Sequence, residues 1–476
     1  MEPDVDVLIA GAGVTGIYQL YRAREAGFSA RLVEAGRGVG GTWFWNRYPG
    51  ARFDSESYTY GYLFSEELFA EWAWSERFAE QPETERYFNH VVDKFDLRRA
   101  IQFDARVTAA TYDETNALWT VVINDDTEVR ARFFIAATGV LSVPYFPAVP
   151  GRADFRGEQH HTGLWPSTPV DFAGKRVAVI GTGSSGVQVI PTIADEVAAL
   201  TVYQRSANWC TPLNNAPISD SEQAQLRTDF ASIRETLNTS LHGFLHEPHA
   251  KAVFDDPDDV RQAFFEQMWN SPGFSKLTSN YYDITLDADA NAAWCDFVAA
   301  KVRSIVKDPP TAERLIPKDH RFGEKRPPFV TGYYETFNRA NVSLVDLGTT
   351  PIVRMTETGI ETAAGVEEFD IIVWATGFDF GTGALNRMGI VGRNGFALVD
   401  HWADGPRTFL GVQTTHFPNF FFPGGPHAAA GNNPRYNGDQ VDFVTETIIH
   451  VRDRGCTAIE VSVDAEDRWT NMIDTA

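Results

Sequence analysis

Residues 5–16 read VDVLIAGAGVTG, with Gly11, Gly13 and Gly16 in the spacing G-x-G-x-x-G. The apolar, β-branched run 5–10 reads as a buried strand, residues 14–26 as a helix stopped at Gly27, and residues 30–33 as the next strand. In this strand–loop–helix–strand setting each glycine has its own task. Gly11 permits the tight turn, Gly13 lets backbone N–H groups reach a pyrophosphate, and Gly16 lets helix and strand pack closely. The second strand closes on Glu34, about 20 residues past the loop, where a carboxylate accepts bonds from ribose hydroxyls. The stretch predicts a dinucleotide-binding unit.

The pattern recurs. Residues 176–180 form a second apolar run, followed by Gly181-Thr182-Gly183-Ser184-Ser185-Gly186, a helix through about Ala194 and a strand over 200–204. This strand ends on Arg205, close to the place that Glu34 holds in the first unit. A carboxylate there suits a free ribose hydroxyl, whereas an arginine suits a 2′-phosphate through charge-assisted, bidentate bonds. The second unit is therefore expected to hold NADP(H).

With 476 residues the chain is too long for one ordinary core. Apolar residues make up 43% and charged residues 22%, a globular composition. The net charge of −23 argues for solubility and against nucleic acid or an anionic membrane as partner. Cys210, Cys295 and Cys456 are far apart with no C-x-x-C, so neither a redox dithiol nor a metal site is expected, and a reducing, cytoplasmic setting fits. The start MEPDVDVLIAGAG enters a strand directly, with no signal peptide or membrane span in view. Nothing in the sequence sets an oligomeric state.

Between the two loops, residues 155–166 read FRGEQHHTGLWP, placing Phe155, Gly157, His161 and Trp165 at F-x-G-x-x-x-H-x-x-x-W before Pro166. Further motifs follow in order: GVGGTWFWNRYPGARFD over 38–54, PKDHRFGEKRPP over 317–328, and ATGFD over 375–379. Together these resemble the Baeyer–Villiger monooxygenases over nearly the whole chain, from about Val5 to Trp469. The resemblance implies an α/β fold of two Rossmann-like dinucleotide-binding domains, for FAD and NADP, with a helical insertion. The expected division is a FAD domain over 1–150, an NADP domain over 151–213, a helical insertion over 214–316, the rest of the NADP domain over 317–365, and a return to the FAD domain over 366–476. Residues 64–96 read as helical, 101–107, 119–123 and 129–134 as strands of a small β-insertion, 369–374 and 420–422 as strands, and a helix is expected from near Asp439.

The resemblance also implies site residues. Gly11, Gly13, Gly16 and Glu34 would hold FAD, Thr42, Trp43, Asp54 and Tyr60 would contact its flavin end, and Val107 would bond the adenine through its backbone. Thr182, Gly183, Ser184, Ser185, Gly186, Gln188, Arg205, Ser206, Lys325 and Arg326 would hold NADPH, with Arg205 and Lys325 sharing the 2′-phosphate. Arg326 would be catalytic and Asp54 would orient it, while His161 and Trp165 couple the two units. The implied reaction inserts one oxygen of O₂ beside a ketone carbonyl, giving an ester or lactone by way of a C4a-peroxyflavin. The rival reading is an N- or S-oxygenating flavin monooxygenase, against which Trp165-Pro166 and Lys325-Arg326 speak. A disulfide reductase would need a cysteine pair that is lacking. Two departures stand out. Residues 427–436 read HAAAGNNPRY instead of the family's Gly-Ser-Pro-Ser type of turn, so no substrate contacts are carried over there. Family members also run on into a tail whose mobile loop brings a Trp to the nicotinamide, and this chain stops at Ala476.

Overall fold

A computed structural model describes residues 2–428 and 431–475; the departing turn at 427–436 thus lies partly outside the described residues. The strands are β1 (Val5–Ala10), β2 (Ala30–Val33), β3 (Ile101–Gln102), β4 (Val107–Asp113), β5 (Leu118–Ile123), β6 (Thr127–Ala136), β7 (Glu158–His161), β8 (Arg176–Ile180), β9 (Ala199–Gln204), β10 (Val342–Asp346), β11 (Ile352–Met355), β12 (Gly359–Thr362), β13 (Gly365–Glu368), β14 (Ile371–Trp374), β15 (Ile390–Val391) and β16 (Phe420–Phe421). Among the described residues they form two main sheets and a small one. The first runs β15-β4-β5-β6-β1-β2-β3, with β16 also on β6; the second runs β10-β9-β8-β14-β7; β11–β13 make the third.

The centre of each main sheet is parallel. β1 lies between β2 and β6, and β8 between β9 and β14. These strands are buried on both faces, which is why residues 7–10 and 177–180 read as continuous apolar runs without alternation. Each glycine loop leaves the C-terminal end of a central strand and enters a helix, Val14–Glu25 in the first unit and Ser184–Ile193 in the second. This is the end of a parallel sheet where ligands bind.

The helical stretch after β9 contains Asp220–Thr228, Phe230–Thr239, Asp258–Asn270, Ala288–Ile305 and Pro309–Leu315. Its later helices share a core with the second sheet, Phe265, Trp294 and Val302 packing in one cluster with Val179 and Val373. Its earlier pair turns the other way: Phe230, Ile233 and Leu237 pack on Leu63 of the first unit. The stretch therefore touches both nucleotide units.

Several boundaries differ from the sequence reading. Residues 64–96, read as helical, hold two helices, Glu66–Glu71 and Gln81–Lys94, with a break between them. The break carries Trp72 and Trp74 onto Tyr87, with ring centroids 5.4 and 4.9 Å apart, and Glu83 accepts the Ser75 N–H at 3.0 Å. The run 101–107 breaks after Gln102, because Asp104 turns with a left-handed φ of 52° and the Ala105 N–H donates to the Glu34 carbonyl. The strands read as a small β-insertion instead extend the first sheet, since β6 pairs with both β5 and β1. The helix expected from near Asp439 starts earlier, at Asn433, with Pro434 in its first turn, where a missing N–H costs no bond, and a further helix, Val463–Thr475, follows it.

Candidate active site

In the first loop, Gly11 takes φ 107°, and a Cβ on it would lie 2.5 Å from the Ala137 carbonyl oxygen. A Cβ on Gly16 would lie 1.8 Å from the Gly11 oxygen. Glu34 is buried and braces this turn from below: Oε2 accepts the Ala12 N–H at 2.7 Å and Oε1 the Gly36 N–H at 2.7 Å. A carboxylate has about four lone-pair positions, so acceptor capacity remains for ribose hydroxyls. The Ala105 N–H donates to the Glu34 carbonyl, which brings the start of β4, at Val107, beside the same end of the loop. Gly41, at φ 55°, comes so close to Gly13 that a Cβ on it would sit 2.7 Å from the Gly13 Cα. The residues present fit a resident dinucleotide: the backbone is brought close and bare where the pyrophosphate belongs.

Past Gly41, Thr42 is exposed and Trp43 is buried. The Trp43 indole donates to the Tyr60 hydroxyl at 2.8 Å, and Tyr60 stacks on Phe53 at 4.4 Å. Burial pushes the Tyr60 hydroxyl up to about 12. Gln81, which the sequence reading missed, donates to the Trp43 carbonyl; no local motif marks it.

The second loop repeats the first. Gly181 has φ 109° and its Cβ would meet the Ala375 oxygen at 2.3 Å; a Cβ on Gly186 would meet the Gly181 oxygen at 2.1 Å. Nothing lies within 4 Å of a Cβ on Gly183. The Thr182 hydroxyl donates to the Ser206 carbonyl at 3.1 Å, tying loop to strand end. Arg205 is exposed and engages no partner among the described residues. Ser185 is half-buried at the start of the helix. Gln188 is committed elsewhere: its oxygen accepts the Tyr48 hydroxyl at 2.7 Å and its amide donates to the Arg52 carbonyl at 2.9 Å. It ties the two units together, a role its motif position did not announce.

An ion pair joins the units beside the second glycine loop. Arg326 Nη2 lies 2.5 Å from Asp54 Oδ1, and Nη1 lies 3.4 Å from Ser184 Oγ. Asp54 is buried while the Arg326 side chain is half exposed. The guanidinium lies 5.1 Å from the Phe274 ring centroid, a cation–π contact that holds it from beneath. Arg326 thus touches the FAD-side loop, the second glycine loop and the helical stretch together. Lys325 pairs with Asp319 at 3.0 Å.

Against this geometry the comparisons are specific. A family model described as pyridine nucleotide-disulphide oxidoreductase matches residues 8–240. The chain is 45% identical over 479 residues to a 2-oxo-Delta(3)-4,5,5-trimethylcyclopentenylacetyl-CoA monooxygenase of Pseudomonas putida, covering 99% of this chain and 88% of that protein. It is 39% identical over 469 residues to a Baeyer–Villiger monooxygenase of Pseudooceanicola batsensis, covering 98% and 86%. It is also 40% identical over 468 residues to a phenazine N-monooxygenase of Lysobacter antibioticus, covering 98% and 86%. A crystal structure of OTEMO in complex with FAD and NADP superposes with a TM-score of 0.97 at 44% identity, over 99% of this chain and 90% of that one. The chain belongs to the Baeyer–Villiger monooxygenases.

Within this Baeyer–Villiger monooxygenase the joining stretch is well placed to couple the units. His161 ends β7, which pairs with β14 of the second sheet. Its Nδ1 accepts the Gly163 N–H at 2.9 Å, its Nε2 is buried with no hydrogen-bond partner among the described residues, and burial lowers its pKa. The Trp165 N–H donates to the Trp45 carbonyl at 3.3 Å, and its ring meets Tyr48 edge-on at 6.5 Å. Cys210, Cys295 and Cys456 are free, and Cys210, pushed up to about 12 by burial, is no nucleophile. Among the described residues no helix is long and apolar enough to cross a membrane.

Proposed function

We propose that this chain converts a small ketone, O₂, NADPH and a proton into an ester or lactone, water and NADP⁺. The observation that carries the reading is the Asp54–Arg326 pair at the seam between the two glycine loops. Bound FAD, held by Gly11, Gly13, Gly16 and Glu34 and contacted by Thr42, Trp43 and Tyr60, supplies the oxygen-activating chemistry. The chain's own part is electrostatic. The Arg326 guanidinium stabilises negative charge developing on the ketone oxygen, and Asp54 holds it in place. Arg205 has no partner to give up and receives the 2′-phosphate of NADPH; Lys325 joins it by exchanging Asp319 for phosphate. The acidic composition and the three unpaired cysteines support a soluble enzyme of a reducing compartment such as the cytoplasm, without nucleic acid or membrane partners.

The phenazine N-monooxygenase among the relatives keeps amine oxygenation as a second reading. A paired screen decides. Cyclic and short-chain ketones and a panel of tertiary and heteroaromatic amines are each incubated with NADPH and the products identified. Ester or lactone from ketones, with little N-oxide, is the expected result; N-oxide alone would overturn it.

A further inference from the structure

Two residues past Asp54, Glu56 is a buried carboxylate, 4% exposed. Its Oε1 lies 2.8 Å from His246 Nε2, and His246 Nδ1 lies 2.7 Å from Thr278 Oγ1. The other oxygen, Oε2, is buried and finds no hydrogen-bond partner among the described residues. His246 is therefore the side chain that compensates this carboxylate, and it comes from the helical stretch, not from the first unit.

Stability alone is a weak reason to keep such a group, because a buried charge with an unsatisfied oxygen is often matched or bettered by an apolar side chain. Its place in the site supplies a reason. The Glu56 carbonyl accepts the N–H groups of Thr59 and Tyr60, and the Tyr60 hydroxyl accepts the Trp43 indole at 2.8 Å. On the far side, His246 stacks on Phe244 at 5.4 Å, Phe244 packs on Phe274 at 4.9 Å, and Phe274 lies under Arg326. A Cβ on Gly273 would lie 2.7 Å from the Asp54 carbonyl oxygen, so the same helical stretch also closes directly on the Asp54 backbone. His246 is thus the side chain that links the loop carrying Asp54 to the aromatic bed of Arg326, beside the backbone contact at Gly273.

We propose that His246 is a positioning residue of the oxygen-transfer site: through Glu56 it holds the loop that presents Asp54 to Arg326. The inference rests on the functional reading above. A role in folding alone would lower stability without changing how consumed NADPH divides between ester and hydrogen peroxide.

The test compares holoenzyme of wild type, His246→Ala, His246→Gln and Glu56→Gln in two measurements. The first is ester formed per NADPH consumed with a ketone that the wild type accepts. The second, made without NADPH or ketone, is backbone hydrogen exchange over residues 54–60. His246→Ala should lower the ester yield per NADPH about tenfold, the low end for losing a hydrogen bond to a charged group, with hydrogen peroxide making up the difference. Exchange over 54–60 should rise in the same variant. His246→Gln, which keeps a donor near Glu56, should recover most of both. Unchanged exchange at 54–60 in His246→Ala, or lost coupling that His246→Gln shares in full, overturns the proposal. If His246→Ala does not fold, Glu56→Gln takes its place: it keeps the shape, removes the charge, and should show the same paired change in milder form. Were the wild type to give no ester from any ketone, the functional reading would fall, and the exchange measurement would still decide whether His246 holds this loop.

Discussion

The two glycine loops have one backbone and two outcomes. Gly11 and Gly181 share φ angles of 107° and 109°, and both press on the carbonyl of an alanine, Ala137 and Ala375, at the end of the neighbouring strand. Gly16 and Gly186 each close on the oxygen of their own loop's first glycine. Beyond this shared frame they part. Gly13 faces Gly41 of a covering loop and Glu34 is buried beneath, whereas Gly183 faces open space and Arg205 stands exposed and unengaged. The difference teaches that one motif can fix the same loop backbone in two settings, one covered and one open. It is the difference expected if the first unit, as proposed, keeps its FAD and the second exchanges NADPH and NADP⁺ at each turnover.

Breaking the frame itself should have the largest effect and should separate the units. Gly16→Val places a side chain where the Gly11 oxygen lies 1.8 Å from the Cβ, so the purified variant should be colourless, with no flavin absorbance after desalting. Gly186→Val should leave the protein yellow and abolish flavin bleaching by NADPH under anaerobic conditions. Colour lost in both variants, or in neither, would break the comparison. At the seam, Arg326→Ala should lower ester formation about 10²–10³-fold, the scale of removing one preorganised charge-stabilising donor, and release hydrogen peroxide in its place; Asp54→Ala should give a milder version. Normal ester yield from Arg326→Ala, read by gas chromatography, would return Arg326 to a cofactor clamp. Arg205→Ala should lower kcat/KM for NADPH about 10–100-fold, the size of a lost charge-assisted bond, and change that for NADH by about twofold at most. Equal use of both cofactors by the wild type would remove the 2′-phosphate assignment. The smallest contrast is between the covers. Gly41→Ala, strained by its φ of 55° and the 2.7 Å contact with Gly13, should weaken FAD retention, while Gly183→Ala should shift unfolding by no more than about 0.5 kcal/mol in a thermal melt.

The frame was legible because it is local. Residues 5–34 and 176–205 carry strand, loop, helix and closing residue within one short window, and β1, β2 and β8 fall where the apolar runs place them. The seam was legible only through motif resemblance: Asp54 and Arg326 are far apart in sequence, and no periodicity announces a contact between a buried loop acid and a half-exposed arginine. Contacts supplied by the fold were not legible at all. Gln188 reads as part of the second loop and proves to bind Tyr48 and the Arg52 carbonyl; Lys325 reads as a phosphate ligand and pairs with Asp319. His246 and Glu56 carry no motif, since their meeting depends on how the helical stretch folds over the first unit. The helical reading of 64–96 holds at both ends, and the break between its two helices, where Trp72 and Trp74 pack on Tyr87, was not legible.

The central claim is that both units serve one oxygen transfer to a ketone. Wild-type holoenzyme with NADPH and a cyclic ketone, reacted under oxygen-18 gas, tests it most directly by mass spectrometry of the product. The account expects a lactone carrying one labelled oxygen atom, formed in step with NADPH oxidation. Steady NADPH oxidation across a broad ketone panel, with all label in hydrogen peroxide or water and none in an ester or lactone, would contradict it.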